Sequence, residues 1–374
     1  MKILITGGHL APALAIIQHI PKNADIVYVG RKHPFEGDSG LSLEYEIIGK
    51  LGIPFVELQT ARLQRKFTRY TFSSLLKMPS GVIKASQILK KEKPDIVLGL
   101  GGYLSLSIGI AAWLQKIPLL IHEQTFHAGL ANKILGKIAT KIAISWESSQ
   151  KYFPKSKTVL VGNPHLVSCP SASIQKLIDQ TSSAPRLVIT GGSAGSHRIN
   201  VLIEHILPEI LKTYHVIHQT GDARKFGDFE RLQEYKKTLP QELQDRYHLM
   251  KFIDPSDFDV LYEHAKVVVC RAGINTLTTL ILLKTPAVLI PIQAGQKNDQ
   301  ATNAEFIKKI GLGEVVHQDV SPSTLLNTIV MMMDKNDTYR NVEVEKYATQ
   351  HQHAAQNLIQ LLYVVYQVNS EKKS

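Results

Sequence analysis

Three places in the sequence set a pair of glycines between a short apolar run and a stretch with helical spacing: Gly7-Gly8, Gly101-Gly102 and Gly191-Gly192. Glycine lets backbone approach a ligand closely, and a helix start offers unpaired N–H groups and a positive dipole end. Such turns suit a diphosphate. His9 follows the first pair. Imidazole titrates near neutral pH, so it can serve as the base for an attacking hydroxyl; a histidine bonded to nearby backbone is the other reading. Gly191, Gly192 and Ser193 offer N–H groups and a hydroxyl to charge growing on a departing group; a plain tight turn is the alternative there. None of the three turns fits the dinucleotide fingerprint, and no Gly-Lys-Ser/Thr loop is present. That argues against nicotinamide dinucleotide and ATP chemistry and leaves nucleotide sugars open. His122-Glu123 has no second histidine at helical spacing, so it is not a metal motif.

The elements that must position these turns read as parallel strands. Lys2–Thr6, Asp95–Gly99 and Arg186–Thr190 are near-continuous apolar runs, as expected of strands buried on both faces. Ile-Thr-Gly-Gly occurs at Ile5 and again at Ile189, an offset of 189 − 5 = 184 residues. A chain that restarts one device near its midpoint predicts two similar α/β domains. Further strands are expected at Ile26–Val29, Pro118–Ile121, Lys141–Ile144, Thr158–Val161, Tyr214–Gln219, Tyr247–Phe252, Val267–Cys270 and Ala287–Ile290. The boundary is placed after Gly162-Asn163-Pro164, giving an N-terminal domain over 1–163 and a second over 164–345. Ser168–Ser173 and Asp179–Pro185 are turn-rich, as linkers are. A closing helix near Ala355–Gln367 occupies 346–374, with a frayed tail at Asn369–Ser374. The uncharged stretch Ile96–Leu114 is long enough for a membrane span, but its glycines favour a buried strand, a turn and a buried helix.

The chain has 374 residues, 44% hydrophobic and 20% charged, which excludes a disordered, collagen-like or coiled-coil protein. Its two cysteines, Cys169 and Cys270, stand in no metal-ligand spacing and suit a reduced compartment. The N-terminus lacks the long apolar run of a signal peptide. The net charge is 43 − 32 = +11. Most of it falls between Thr60 and Lys93, where Arg62, Arg65, Lys66, Arg69, Lys77, Lys84, Lys90, Lys91 and Lys93 face only Glu92. Phe67, Tyr70, Phe72, Leu75, Leu76 and Met78 interleave with these charges. Basic residues around an apolar stripe dock on an anionic leaflet or form a solvated face over a buried stripe. No recognised nucleic-acid motif accompanies them, so nucleic acid is not expected as a partner.

Gly7-Gly8-His9-x-x-Pro12-Ala13 resembles the first loop of the MurG-type glycosyltransferases, and Gly101-Gly-Tyr-x-Ser105 resembles their second. Ile121-His-Glu-Gln124 with Gly129-Leu-x-Asn-Lys133, Gly162-Asn-Pro164, Gly191-Gly-Ser193, His218-Gln-Thr-Gly221 and Phe252-Ile253 follow in family order. So do Cys270-Arg-Ala-Gly273, Thr276, Pro286-Ala287, Ile290-Pro291 and Gln300-x-x-Asn-Ala304. The resemblance implies an α/β fold of two Rossmann-like domains facing across a cleft, the GT-B type. It implies inverting transfer of N-acetylglucosamine from UDP-GlcNAc to a lipid-linked muramyl-pentapeptide, without a cofactor or an essential metal. It implies a peripheral protein on the cytoplasmic face of the cell membrane, docked on the anionic surface through Arg62–Lys93. His9 would be the base. The donor would meet Thr6, Gly7, Gly8, Thr125, Gly191, Gly192, Ser193, Phe252, Ile253, the turn Ile274, Asn275, Thr276, Leu277, Thr278 and Thr279, and Gln300. The acceptor side would comprise Gly101, Gly102, Tyr103, Ser105, His122, Glu123 and Asn132. Glu123 reads either as a partner for a histidine or as a solvated loop acid.

The sequence departs from the family pattern in the donor site. The first loop is short. Thr125 replaces an asparagine, Leu166 an arginine, Ala194 a glutamine, and Thr279 the glutamate that grips the ribose; Asp299 replaces an amide or imidazole before Gln300. Losing a charged contact costs about 1.5–3 kcal/mol. Three readings follow: a weak or divergent transferase, another donor, or compensation by His165, His197 or Arg198. Another nucleotide-sugar enzyme of the same fold, such as a UDP-sugar epimerase, and a catalytically silent membrane scaffold are the alternatives.

Overall fold

The structure is a computed structural model and describes residues 1–8, 10–33, 40–58, 78–166, 170–192, 195–221, 226–292 and 299–371. The chain divides into two compact units, Met1–Leu166 with Gln350–Ser374, and Val167–Thr349.

The first unit carries β1 (Lys2–Thr6), β2 (Asp25–Gly30), β3 (Phe55–Glu57), β4 (Ile96–Gly99), β5 (Leu119–Glu123), β6 (Lys141–Ile144) and β7 (Thr158–Leu160). They form one parallel sheet in the order β3-β2-β1-β4-β5-β6-β7. The second unit carries β8 (Arg186–Thr190), β9 (His215–Gln219), β10 (Tyr247–Met250), β11 (Val267–Cys270), β12 (Ala287–Leu289) and β13 (Gly313–Val315). Its parallel order is β10-β9-β8-β11-β12-β13. Counted within its own unit, each sheet begins with the 3-2-1-4-5-6 order of the doubly wound nucleotide-binding fold. The order reverses between β1 and β4 in the first unit and between β8 and β11 in the second. Ligands of such sheets bind outside the carboxyl ends of the strands at these reversals.

Side chains alternate across each strand, so each apolar strand feeds two cores. In the first unit Leu4, Val97, Ile121 and Ile142 pack with Leu106, Ala111 and Leu135 on one face. Ile3, Ile5, Leu98 and Leu120 pack with Leu14 and Ile16 on the other. The last helix, Ala354–Glu371, supplies Leu358, Ile359, Leu362 and Val365 to that second face, at helical spacing. In the second unit Leu187, Ile189, Val216, Val267 and Val269 pack with Ile199, Ile203, Ile206 and Ile210.

The expected strands are all present. Two more, β3 and β13, were not expected; each has three residues and includes a glutamate, Glu57 or Glu314, so neither reads as an apolar run. The tail expectation is corrected: Asn369, Ser370 and Glu371 continue the last helix, and 372–374 lie outside the described residues. The linker-like stretch is also corrected. Between its polar ends runs helix Ala172–Gln180, capped when Ser171 Oγ accepts from Ile174 N–H and anchored by buried Ile174, Leu177 and Ile178. Ile96–Leu114 is β4, a glycine turn and helix Gly102–Leu114. No described helix is long and apolar enough to cross a membrane.

Candidate functional site

In the second unit the site elements gather at the carboxyl ends of β8, β9, β11 and β12. The Thr190 hydroxyl donates to Gln219 Oε1 at 2.7 Å and accepts Gly192 N–H at 3.0 Å, which fixes the start of the turn. Gly195 N–H then donates to Gly192 O at 2.9 Å. Gly192 has φ +84 and is exposed, in a region that only glycine enters freely. Ser196 Oγ caps helix His197–Leu211 by accepting from Ile199 N–H, and also accepts from Arg271 Nη2 at 2.6 Å. Arg271 Nη1 donates to Ile290 O at 2.8 Å, so one guanidinium ties the glycine turn to the ends of β11 and β12. Burial lowers the Arg271 pKa. Cys270 beside it is buried and its thiol is pushed up to about 12, so it is a packing residue.

Behind the turn lies a buried polar chain. Asn200 Nδ2 donates to Thr220 O at 3.1 Å and to Asp228 Oδ2 at 2.9 Å. That fixes the amide so that Oδ1 faces His218 Nε2 at 3.1 Å, which must therefore carry the proton. His218 Nδ1 then accepts from the Tyr247 hydroxyl at 2.9 Å. Complete burial holds His218 neutral, at about 3. Asp228 also accepts from Arg231 Nη2 at 2.7 Å and lies 2.8 Å from His197 Nδ1. His197 stacks on Phe226 at 4.1 Å. This chain holds Thr220 against Gly195, where a Cβ would collide with the Thr220 carbonyl.

Phe252 is 48% exposed beside Ile253, which is only 2% exposed; Phe252 is therefore not packed in a core. In helix Ile274–Leu283, Thr278 Oγ1 donates to Ile274 O and Thr279 Oγ1 to Asn275 O. Leu277, Thr278 and Thr279 are buried, leaving Asn275 and Thr276 at the surface of that turn. Gln300 Oε1 accepts from Ile292 N–H at 3.0 Å. Of the three compensation candidates, Arg198 donates to Gln318 O and lies 3.9 Å from Asp319. Leu166 packs against the core of the first unit.

In the first unit, the turns after β1 and β4 touch. A Cβ at Gly8 would stand 2.5 Å from the Gly101 carbonyl oxygen. Gly101 (φ +85) and Gly102 (φ +78) then open helix Gly102–Leu114. Thr6 is buried under this junction, its hydroxyl accepting from Leu100 N–H at 3.4 Å. Tyr103 lies 4.8 Å beneath the Arg31 guanidinium, and Ser105 is fully buried against Gly99. His122 is buried with Nε2 at 2.9 Å from Ser145 Oγ.

The solvated-loop expectation for Glu123 is corrected. It is not solvated, and among the described residues its partners are backbone and side-chain groups of its own loop rather than a histidine. Its buried carboxylate accepts from Thr125 N–H, Thr125 Oγ1, Gly129 N–H and Asn132 Nδ2, at 3.0, 2.7, 2.9 and 3.0 Å. One carboxylate thus shapes the whole loop from β5 to helix Leu130–Ile138, because it can accept at several lone pairs at once. Thr125 and Asn132 are tied to the same carboxylate.

His9, Ser193 and Ala194 lie outside the described residues, as does the basic segment from Arg62 to Lys77. The rest of that segment forms helix Met78–Glu92, which packs on helix Gly102–Leu114; Gln115 Nε2 donates to Ser86 O. Ile83, Trp113 and Leu114 are 60%, 53% and 61% exposed there. Asn200, Asp228 and His351 escaped sequence reasoning. Only the His218-Gln-Thr-Gly221 run hinted at the first two, because their partners lie far along the chain.

Residues 6–144 match the glycosyltransferase family 28 N-terminal domain, and residues 186–361 match the family's C-terminal domain. A Bacillus cereus protein named UDP-N-acetylglucosamine–N-acetylmuramyl-(pentapeptide) pyrophosphoryl-undecaprenol N-acetylglucosamine transferase 2 is 31% identical over 358 residues, covering 92% of this chain and 95% of that protein. A Clostridium perfringens transferase of the same description is 33% identical over 346 residues, covering 90% of each. The crystal structure of Acinetobacter baumannii MurG superposes with a TM-score of 0.69 at 24% identity, over 96% of this chain and 99% of that one.

Proposed function

The chain belongs to glycosyltransferase family 28, and on that basis we propose that it transfers N-acetylglucosamine from UDP-N-acetylglucosamine to the undecaprenyl-pyrophosphoryl N-acetylmuramyl pentapeptide, in peptidoglycan precursor synthesis. The observation that carries this reading is the near full-length likeness to transferases of that description.

The chemistry is a single displacement. The acceptor hydroxyl attacks the sugar C1 as the bond to UDP breaks, with inversion. His9 takes the hydroxyl proton. The turn Gly191–Ser193 receives the leaving diphosphate at the start of helix His197–Leu211. Phe252 and the Ile253 backbone hold the uracil, and the Gln300 amide meets the sugar hydroxyls. The buried carboxylate of Glu123 and the Gly8–Gly101 approach support a shaped acceptor side in the first unit. A lipid-linked acceptor fits a peripheral protein at the cytoplasmic face of the membrane. The exposed Ile83, Trp113 and Leu114 beside Lys84, Lys90 and Lys91 support docking there.

A radiolabelled sugar-transfer assay with a short-chain lipid acceptor tests the reading. Transfer by the wild type and its loss in His9→Ala are expected. UDP-GlcNAc epimerised without transfer would replace the reading with the epimerase alternative. Absence of binding to any UDP-sugar would favour the silent scaffold.

A further inference from the structure

β10 is an edge of the second sheet and, at four residues, the longest of the edge strands; β3, β7 and β13 have three residues each. Thr220 N–H donates to Met250 O at 3.0 Å, so the Met250 backbone faces inward, towards β9. Lys236 Nζ donates to Tyr247 O at 2.6 Å from the outer side. Alternation along the strand turns the Leu249 N–H and C=O outward as well. Beside this edge a groove of about 460 Å³ runs between β10 and helix Ala172–Gln180. Lys176, Lys236 and His248 line it, and among the described residues no acid does. His215 Nδ1 lies 3.4 Å from His248 Nε2, and the charges of Arg246 and Arg186 act on His215 in turn. Asp179 and Asp245 offset part of the charge of Arg186 and Lys236, but neither lines the groove. Burial, His215 and Lys236 together push His248 down to about 4, as a surplus of positive charge requires.

We propose that β10 and its groove bind an extended, acidic segment of a partner protein, which adds a strand beside Leu249 and sets its carboxylates against Lys176 and His248. An exposed strand edge supplies main-chain bonds to such a segment, and the cations beside it select for negative charge. A second copy of this edge would bring like charges together, so this chain is not its own partner. The geometry also gives the pattern of the segment. Tyr247 and Leu249 pack with the core of Ile199 and Ile206, so His248 lies on the opposite face of the strand. A segment alternating acidic and apolar residues matches both faces over the roughly 13 Å of four residues. The site stands at the sheet edge, apart from the turns after β8, β11 and β12, and so adds an interaction to the transferase reading without depending on it.

The test is a titration of the full chain with an acetylated hexapeptide of alternating glutamate and valine, followed by NMR. Binding is expected to protect the Leu249 amide from exchange. It should also raise the His248 pKa by about one unit, because a carboxylate beside the ring favours the imidazolium. Exposed Lys176 is expected to tolerate Lys176→Glu, with transfer activity retained and peptide binding weakened about tenfold, since an attraction becomes a repulsion. Should that variant fail to fold, the same peptide with lysine in place of glutamate decides instead, and it is expected not to bind. Equal binding of the two peptides would overturn the proposal. So would absence of binding at millimolar peptide, or binding that leaves the Leu249 amide unprotected. Inorganic phosphate producing the same shift of His248 would show a small-anion site in place of a strand partner and would overturn it too.

Discussion

Asn163 donates its backbone N–H to Nδ1 of His351 at 3.0 Å, joining residues 188 apart in sequence. The bond links the segment where the chain leaves its first unit to the segment where it returns. Gln350 Nε2 donates to Ser145 O beside it, and Gly162 lies so close to the Gln350 carbonyl that no side chain fits. The bond requires an unprotonated Nδ1. Burial, aided by the nearby His165, holds His351 at about 4.

That shift sets a pH dependence. The folded state disfavours the proton, so the stabilisation is complete above the unfolded histidine pKa and is lost as pH falls from about 6.5 towards 4. Urea unfolding at pH 7.5 and pH 5 should show a loss of about 2 kcal/mol from this residue. His351→Gln should flatten the part of the slope that belongs to the first unit. An unchanged slope would place the sensitivity elsewhere, with neutral His218 the next candidate.

Gly8→Ala should be far more damaging than its size suggests. The new methyl would meet the Gly101 carbonyl, a backbone atom that cannot swing aside. We expect about 1–3 kcal/mol of destabilisation from overpacking, with transfer reduced at least about tenfold. Gly192→Ala meets open space but carries positive φ, so its cost should be only the left-handed backbone penalty of about 1–2 kcal/mol. Thermal melts of both variants check the ranking.

Asn200→Asp exchanges an amide that serves two acceptors for a carboxylate facing the carboxylate of Asp228. The like charges and the orphaned Thr220 carbonyl should cost about 2–4 kcal/mol together. The loss should be smaller at acid pH, where one carboxyl takes up a proton. A variant as stable as the wild type at pH 7.5 would mean that the buried chain does not brace the second unit.

Gln300→Glu keeps the acceptor that Ile292 N–H requires and removes the NH2 donors. A carboxylate there should leave folding intact and raise KM for UDP-GlcNAc by about ten- to hundredfold, as for a lost hydrogen bond with an added desolvation penalty. Steady-state kinetics at saturating acceptor reads it directly; unchanged KM would remove Gln300 from the sugar site.

Much of the architecture was legible because both sheets are parallel and buried. Lys2–Thr6 and Arg186–Thr190 announce themselves as apolar runs ending at glycine pairs, and the repeat at Ile5 and Ile189 marks two units. Edge strands escaped because Phe55–Glu57 and Gly313–Val315 are short and partly open to water, so no pattern compels them. Polar residues escaped for a different reason. Glu123 looks like a loop acid until the loop folds back to place Gly129 and Asn132 on it. Likewise Asn200, His218 and Asp228 acquire meaning only when distant strands and helices meet.

The last helix gives the molecule an order of assembly. Residues 167–349 are continuous, so a ribosome delivers everything that unit needs in one stretch. The earlier-made portion, 1–166, lacks Leu358, Leu362 and Val365 until the far end of translation. Completion of the first unit therefore waits on the last residues made, against the usual N-terminus-first order of domain maturation. The nascent first half must wait with one flank of its sheet uncovered, and a polypeptide cut short before residue 354 would leave that apolar flank exposed to aggregation or chaperone capture.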